Sequence, residues 1–310
     1  DNPDIDTEGL MQYVKGPDFP TGGIIQGIQG IKDAYETGRG RVVIRAKADI
    51  EVEPNGRETI VVSEIPYMVN KKEMLEKIGQ MVDEKKIEGI TYMNDETSRE
   101  GVRVIFRVKQ GSNSNVVLNT LYKYTPLQSS FAINNVALVG GRPRTMSLKD
   151  IIRVFVDFRH DVIVRRTRFE LEKARKRAHI LEGLIKAIDV IDRIIEIVRS
   201  SRSVDEAKGR LIEEFGFSDL QATAIVEMKI RQLTGLEREK LQAEYDELAK
   251  FIAYCEDVLA STEKQMEIIK NETMELKAKY GDRRRSEIVP NADEFNPEDF
   301  YADDDVVITI

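Results

Sequence analysis

Cysteine, histidine and, over nearly half the chain, proline are scarce in these 310 residues, and each shortage excludes a class of chemistry. Cys255 is the sole cysteine, so it reads as a small core hydrophobe in a reducing compartment. His160 and His179 are the only histidines; with one thiol they cannot make up a zinc set, and they give a Ser–His–Asp constellation little to draw on. No phosphate-cradling glycine signature occurs. No apolar run approaches the ~20 residues that cross a bilayer, and no signal-peptide pattern opens the chain, so no membrane partner is expected. From Arg144 to Val289 the chain passes 146 residues without a proline.

That proline-free stretch carries a heptad seam. From Leu241 the 4-3 alternation continues through Tyr245, Leu248, Ile252, Cys255, Leu259, Thr262, Met266, Ile269, Thr273, Leu276 and Tyr280, the narrow stripe a coiled-coil strand buries. An earlier stripe offers the second arm: Ile151, Phe155, Phe158 and Val162, then Leu181, Ile185, Ile188, Ile191, Ile195 and Val198. The expectation is a long antiparallel helical coiled coil, with arms at 146–199 and 237–289 and a small all-α head at 200–236. Ser203 and Ser218 are read as helix caps and Gly216 as a stop. The head carries Phe217, Leu220, Ile225, Met228 and Ile230 with several more large apolars, too many for so short a segment to bury alone. They pack either on the arm tips or against a second head, and the latter predicts a twofold dimer.

Before the arms, period-2 patterning prevails. Residues 1–30 are turn-rich and read as a connector; residues 31–145 read as an α+β unit of order ββαββα, an antiparallel sheet with helices packed on it. Strands are expected over Arg41–Glu53 and Thr59–Ile65 about an Asn55-Gly56 turn, then a helix capped by Asn70, two further strands, a helix near Asn115–Tyr124 and a strand over Phe131–Val139. The Gly140-Gly141 turn then leads into the first arm. Residues 290–310 read as an acidic linker, Asp303-Asp304-Asp305 included, rather than a metal cluster.

The net charge of −8 sits at the ends. Residues 1–19 contribute −4 and residues 291–310 contribute −7, leaving the body at +3. Within that body Arg41, Arg45 and Lys47 project from one side of a strand, and Arg39 extends the row into the Gly38–Gly40 loop. Such spacing suits phosphates, and equally suits a strand that shows charge to water. Nine bases between Arg153 and Arg177, with Arg283-Arg284-Arg285, form a second basic cluster, which also reads as a solvated coiled-coil exterior.

Several longer motifs match a known family. Gly16-Pro17-Asp18-Phe19-Pro20-Thr21, Tyr35-Glu36-Thr37-Gly38-Arg39-Gly40, Glu64-Ile65-Pro66-Tyr67, Val69-Asn70-Lys71, Leu148–Ile152, Ala174–Leu181 and Gln232–Glu237 together resemble the A subunits of the bacterial type IIA topoisomerases, DNA gyrase and its paralogue topoisomerase IV. Glu298-Asp299 followed by Asp305–Thr309 resembles the entry to the gyrase wrapping domain. The resemblance implies that the α+β unit is the "tower" beside the cleaved duplex. The arms and head would then be the exit gate through which a second duplex leaves.

It also implies three partners, namely a DNA duplex, a second copy and the B subunit, with a cytoplasmic, nucleoid-associated place. ATP and Mg2+ would be bound through the B subunit, with no cofactor or metal site in this stretch. It favours phosphate contacts for Arg39, Arg41, Arg45 and Lys47. The family's tyrosine nucleophile follows an arginine in a winged helix upstream of the tower. Lys123-Tyr124-Thr125 mimics that context, but its neighbours match the tower, so no catalytic residue is expected here and this stretch alone should be inactive. The competing readings are a chromosome-organising coiled-coil dimer and a protein-binding coiled-coil adaptor.

Overall fold

Apolar residues alternate through the first half of the chain and recur with helical spacing through the second, and the structure divides accordingly. A computed structural model describes residues 2–54, 56–229, 235–290 and 300. It forms two units, one of residues up to Val154 together with those from Asp282 onward, the other Phe155–Gly281.

In chain order the first unit comprises α1 (Thr7–Tyr13), β1 (Ile24–Gln26), α2 (Gln29–Thr37), β2 (Arg39–Arg45), β3 (Lys47–Val52), β4 (Glu58–Glu64), α3 (Lys71–Asp83), β5 (Ile90–Asp95), β6 (Val104–Val108), α4 (Ser114–Tyr124), β7 (Gln128–Asn134), β8 (Val136–Val139) and β9 (Arg142–Thr145), with β10 (Glu287–Val289) returning from the far end of the chain. The expected ββαββα unit is β3-β4-α3-β5-β6-α4, an antiparallel sheet of order β3-β4-β6-β5. Ile60, Val62, Val104 and Phe106 face Met74, Ile78, Val117 and Leu121 from the helices, making a closed core. Asn70 Oδ1 accepts from the backbone N–H groups of Lys72 and Glu73, which starts α3 as the sequence indicates.

Two expectations fail here. The single strand over Arg41–Glu53 is two strands in two sheets, broken at Ala46. Fully buried Ala46 donates its N–H to Leu127 O (2.7 Å) and accepts from the Tyr122 hydroxyl (3.0 Å), leaving the ladder for contacts that alternation cannot show. β2 therefore lies in a second sheet, β10-β1-β2-β7, in which only the β1–β10 pair is parallel. Likewise Gly140-Gly141 does not lead straight into a helix. It closes an antiparallel β8–β9 ribbon, and both glycines have positive φ, as a two-residue hairpin turn requires.

The second unit is all helix, and its first helix is continuous with the first unit in sequence: α5 (Leu148–Asp189), α6 (Ile191–Ser200), α7 (Val204–Phe215), α8 (Asp219–Val226), α9 (Gly235–Ala260) and α10 (Thr262–Tyr280). At ~1.5 Å per residue the 42 residues of α5 rise ~63 Å. Cross-links run in opposite order on the two arms (Arg177 to Glu244, Arg175 to Glu256, Arg159 to Glu272), so the arms are antiparallel as expected.

The seam register differs from the sequence reading. α5 buries Ile163, Thr167, Leu171, Ala174, Ala178 and Leu181, whereas Phe155 and Phe158 are more than half exposed. Small residues let the helices approach, and a hydropathy stripe passes over them. On α6 the buried pair is Ile194 and Ile197, in place of Ile195 and Val198.

The return arm is jointed. Cys255 and Val258 are buried, then Ser261 leaves helical geometry and caps α10, its Oγ accepting from Lys264 N. Gln265, nearly fully buried, donates to Val258 O (2.8 Å) and Leu259 O (3.3 Å), which the break exposes, and its Oε1 meets His160 Nε2 at 2.6 Å. With the Gln265 amide committed to carbonyls, His160 must be the donor in that pair. The break turns Met266, Leu276 and Tyr280 outward.

Candidate nucleic-acid interface and dimer contact

β2 starts where it does because α2 ends in a left-handed Gly38 (φ 79°), whose N–H bonds Ala34 O at 2.9 Å. A side chain there would place Cβ 2.5 Å from Met146 O, so only glycine fits. A second close approach seats α2 directly on the strand, with Gly30 against the Arg41 carbonyl and Gly40 against Gly30 O. Val42 and Ile44 then point inward to Ile25, Ile31, Tyr35 and Phe19. Alternation sends Arg39, Arg41, Val43 and Arg45 to the other face, beside Asn134, Ala132, Ser130 and Gln128 of β7.

Three of the four expected phosphate contacts therefore share a face, Arg39 and Arg41 ~7 Å apart along the strand and Arg45 a further ~14 Å on, past Val43. Arg41 donates to the Ser130 hydroxyl (2.8 Å), and Arg45 donates through Nε to Gln128 Oε1 (2.8 Å) and lies 4.8 Å from the Tyr122 ring centroid. Burial pushes the Tyr122 phenol up to about 12, against the pull of Arg45. Arg39 is exposed, and its guanidinium meets no acceptor among the described residues. Lys47 stands apart. It belongs to β3 in the other sheet and is paired with Glu287 at 2.7 Å, a bond that raises its ammonium above the ordinary value.

The residues that hold these cations escaped the sequence reading because the last strand of the sheet was expected to begin at Phe131. The polar alternation Gln128, Ser130, Asn134 was its signal. A second signal lies in the run from Gly101 to Lys149, 49 residues with seven bases and no acid.

Six of the nine bases in the arm cluster are neutralised by ion pairs within the chain. Arg159 and Arg166 both hold Glu272, Arg175 holds Glu256, Arg177 holds Glu244, and Arg165 and Lys176 pair along their own helix. Two guanidiniums keep the Glu272 carboxyl below its ordinary 4.5, the bond to Arg166 first among the causes. Arg284 donates to the carbonyls of Gly16, Pro17 and Ser286, and Asp18 accepts from the backbone of Arg285 and Ser286, fastening the β10 segment in place.

The head divides the expected dimer residues. Phe217 and Ile225 are buried in the chain's own core with Leu184, Ala187, Ile194, Ile197, Leu211 and Ala222, so neither is available to a second copy. The arm tips, through α5 and α6, supply the burial that the head lacks by itself. α8 comes close enough because Gly183 has no side chain; a Cβ there would lie 2.6 Å from Gln221 Cγ. Ser218 and Gln221 form a reciprocal capping box, and His179 Nε2 lies 2.7 Å from Ser218 Oγ. Leu220 is 57% exposed and Met228 half-buried, while Ile230 lies outside the described residues.

Among the described residues no three His, Cys, Asp or Glu side chains could hold a metal, and no helix is long and apolar enough to cross a membrane. Tyr124, the nucleophile mimic, is half exposed beside Lys123, whose Nζ lies 5.5 Å from its ring centroid.

Comparison with known proteins agrees with the motifs. The family model for the DNA gyrase/topoisomerase IV A subunits matches residues 1–274. The DNA gyrase A subunit of Clostridium acetobutylicum is 49% identical over 310 residues, all of this chain and 37% of that protein. The proteins of the same name from Streptococcus pneumoniae strain R6 and Halalkalibacterium halodurans are 47% and 48% identical, again over the whole chain and 38% and 37% of theirs. The chain thus spans little over a third of the length of the curated relatives it matches. With its motifs, its α+β unit and its antiparallel arms in agreement, this chain belongs to the family of DNA gyrase/topoisomerase IV A subunits.

Proposed function

We propose that this chain is the tower and exit-gate portion of the DNA breakage-reunion subunit of a type IIA topoisomerase of the gyrase kind. Its first unit bears on the cleaved duplex, and its helical unit forms half of the gate that releases the transported one. The observation that carries the reading is the β2 face. Among the described residues the Arg39 guanidinium meets no acceptor and that of Arg41 only a neutral hydroxyl, whereas Arg159, Arg166, Arg175 and Arg177 of the arms are matched to glutamates. Cations left without carboxylates on a rigid strand favour polyanion contact. Lys47, held by Glu287, contributes less.

On this reading ATP and Mg2+ act through the B subunit, strand cleavage uses a tyrosine outside this stretch, and the assembled enzyme works on cytoplasmic, nucleoid DNA. The dimer contact narrows to Leu220 and Met228, with Ile230 retained by sequence. In the enzyme assembled with the B subunit, Arg39→Ala/Arg41→Ala should raise the DNA concentration needed for half-maximal supercoiling, most strongly at low salt and less as salt rises, with little change in the saturated rate. Indifference to DNA concentration and salt would overturn the contact. Sedimentation of the chain should show a dimer that Leu220→Asp and Met228→Asp weaken; a monomeric wild type would remove the gate assignment.

A further inference from the structure

Among the described residues the β8–β9 ribbon pairs with no other strand, and seven of its eight residues are exposed. Leu138 is 73% and Val136 50% exposed, and at the tip a Cβ on Gly140 or Gly141 would meet nothing within 4 Å. An isolated two-stranded ribbon is marginal in water, so apolar side chains on one need cover to be useful. Its root is fixed, with Asn135 N bonded to Gly38 O (2.8 Å) and Met146 N to Asn135 O (3.0 Å).

The register sorts its residues. Val136 faces Thr145 and Leu138 faces Pro143 on one side, while Ala137 faces Arg144 and Val139 faces Arg142 on the other. In a two-residue hairpin the closing pair, Val139 and Arg142, exchanges both hydrogen bonds, so the backbone groups of Leu138 and Pro143 point outward. Proline blocks the β9 edge at that position. The β8 edge, Val-Ala-Leu-Val, has no proline and no charge, the kind of edge that another backbone extends.

We infer that the open β8 edge and the Val136/Leu138 face dock a second polypeptide of different sequence, one that offers an apolar strand or loop with carboxylates placed to meet Arg142 and Arg144. Nucleic acid has no backbone to continue a β ladder and would leave the apolar face uncovered. Two copies joined edge to edge would gather four arginines on one small sheet without an acid. Continuing from the assignment above, the B subunit is the partner to try.

The test uses the full-length A subunit, probed with the B subunit. Hydrogen exchange at residues 136–145 should be fast in the isolated A subunit but slow in the complex. Leu138→Asp, and separately Arg142→Glu/Arg144→Glu, should weaken B-subunit binding roughly tenfold or more while leaving the circular dichroism and DNA affinity of the variant unchanged. Amides already protected in the isolated A subunit would assign the cover to another part of the same protein. Unchanged B-subunit affinity with weakened DNA binding would assign it to nucleic acid. Either result overturns the inference and leaves the Arg39/Arg41 contact standing; loss of the Arg39/Arg41 effect alone would sink the tower reading and leave the ribbon result intact.

Discussion

Arginines in the two units do opposite things. Along the arms Arg159, Arg166, Arg175 and Arg177 meet carboxylates from the facing helix, two of them on Glu272, so their charge is consumed inside the chain and sets which turn of one helix faces which turn of the other. On β2, Arg41 meets a hydroxyl and Arg39 meets solvent, so charge stays outward on a strand fastened to a core. Both clusters look equally basic in the sequence; what separates them is the charge of the nearest oxygen.

The largest expected effect asks whether the arms are held by apolar seam or by those ion pairs. Leu181→Ala, at a fully buried seam position, should cost about 2–5 kcal/mol in denaturant unfolding. Phe158→Ala, which the heptad reading places in the seam and the structure leaves 59% exposed, should cost no more than ~0.5 kcal/mol. A reversal of that order would restore the sequence register.

Glu272→Gln should cost up to about 1 kcal/mol, since it removes one charge from a three-member cluster near the surface. The pH dependence has a definite sign. Glu272 and Glu244 are held below their ordinary 4.5 by their arginines when folded, so the unfolded arms take up protons first. Their contribution is complete above about 4.5 and is lost as pH falls through the lower folded values. Melting followed by circular dichroism should show the wild type losing more stability between pH 6 and 3 than Glu272→Gln does. Smallest of all, Gly209→Ala on the exposed face of α7 should stabilise by roughly 0.5–1 kcal/mol, because a Cβ there meets nothing and helix propensity improves. Gly183→Ala, pressed on Gln221, should destabilise instead.

Much of the fold was legible from local signals. Asn70 and Ser218 cap where their side chains can reach N–H groups, Gly216 stops a helix with positive φ, and the absence of proline marks the arms. What escaped depends on contacts distant in sequence. Ala46 breaks a strand because Leu127 and Tyr122 claim its backbone, and the seam shifts because Ala174, Ala178 and Gln265 are seam residues that apolarity does not mark. Of the candidate site, the β2 arginines were legible from alternation. That Lys47 is tied to a residue 240 positions away, and that Phe217 and Ile225 turn inward onto the arm tips, required the tertiary structure.

The most direct test of the account is the salt dependence of duplex DNA binding by this chain. The slope of log affinity against log salt should fall in magnitude by roughly 1.8 for Arg39→Ala/Arg41→Ala, about 0.9 for each phosphate no longer neutralised, and should be unchanged for Arg175→Ala/Arg177→Ala. An unchanged slope in the first variant, or an equal decrease in the second, would contradict the claim that the β2 arginines are available to DNA and the paired arm arginines are not.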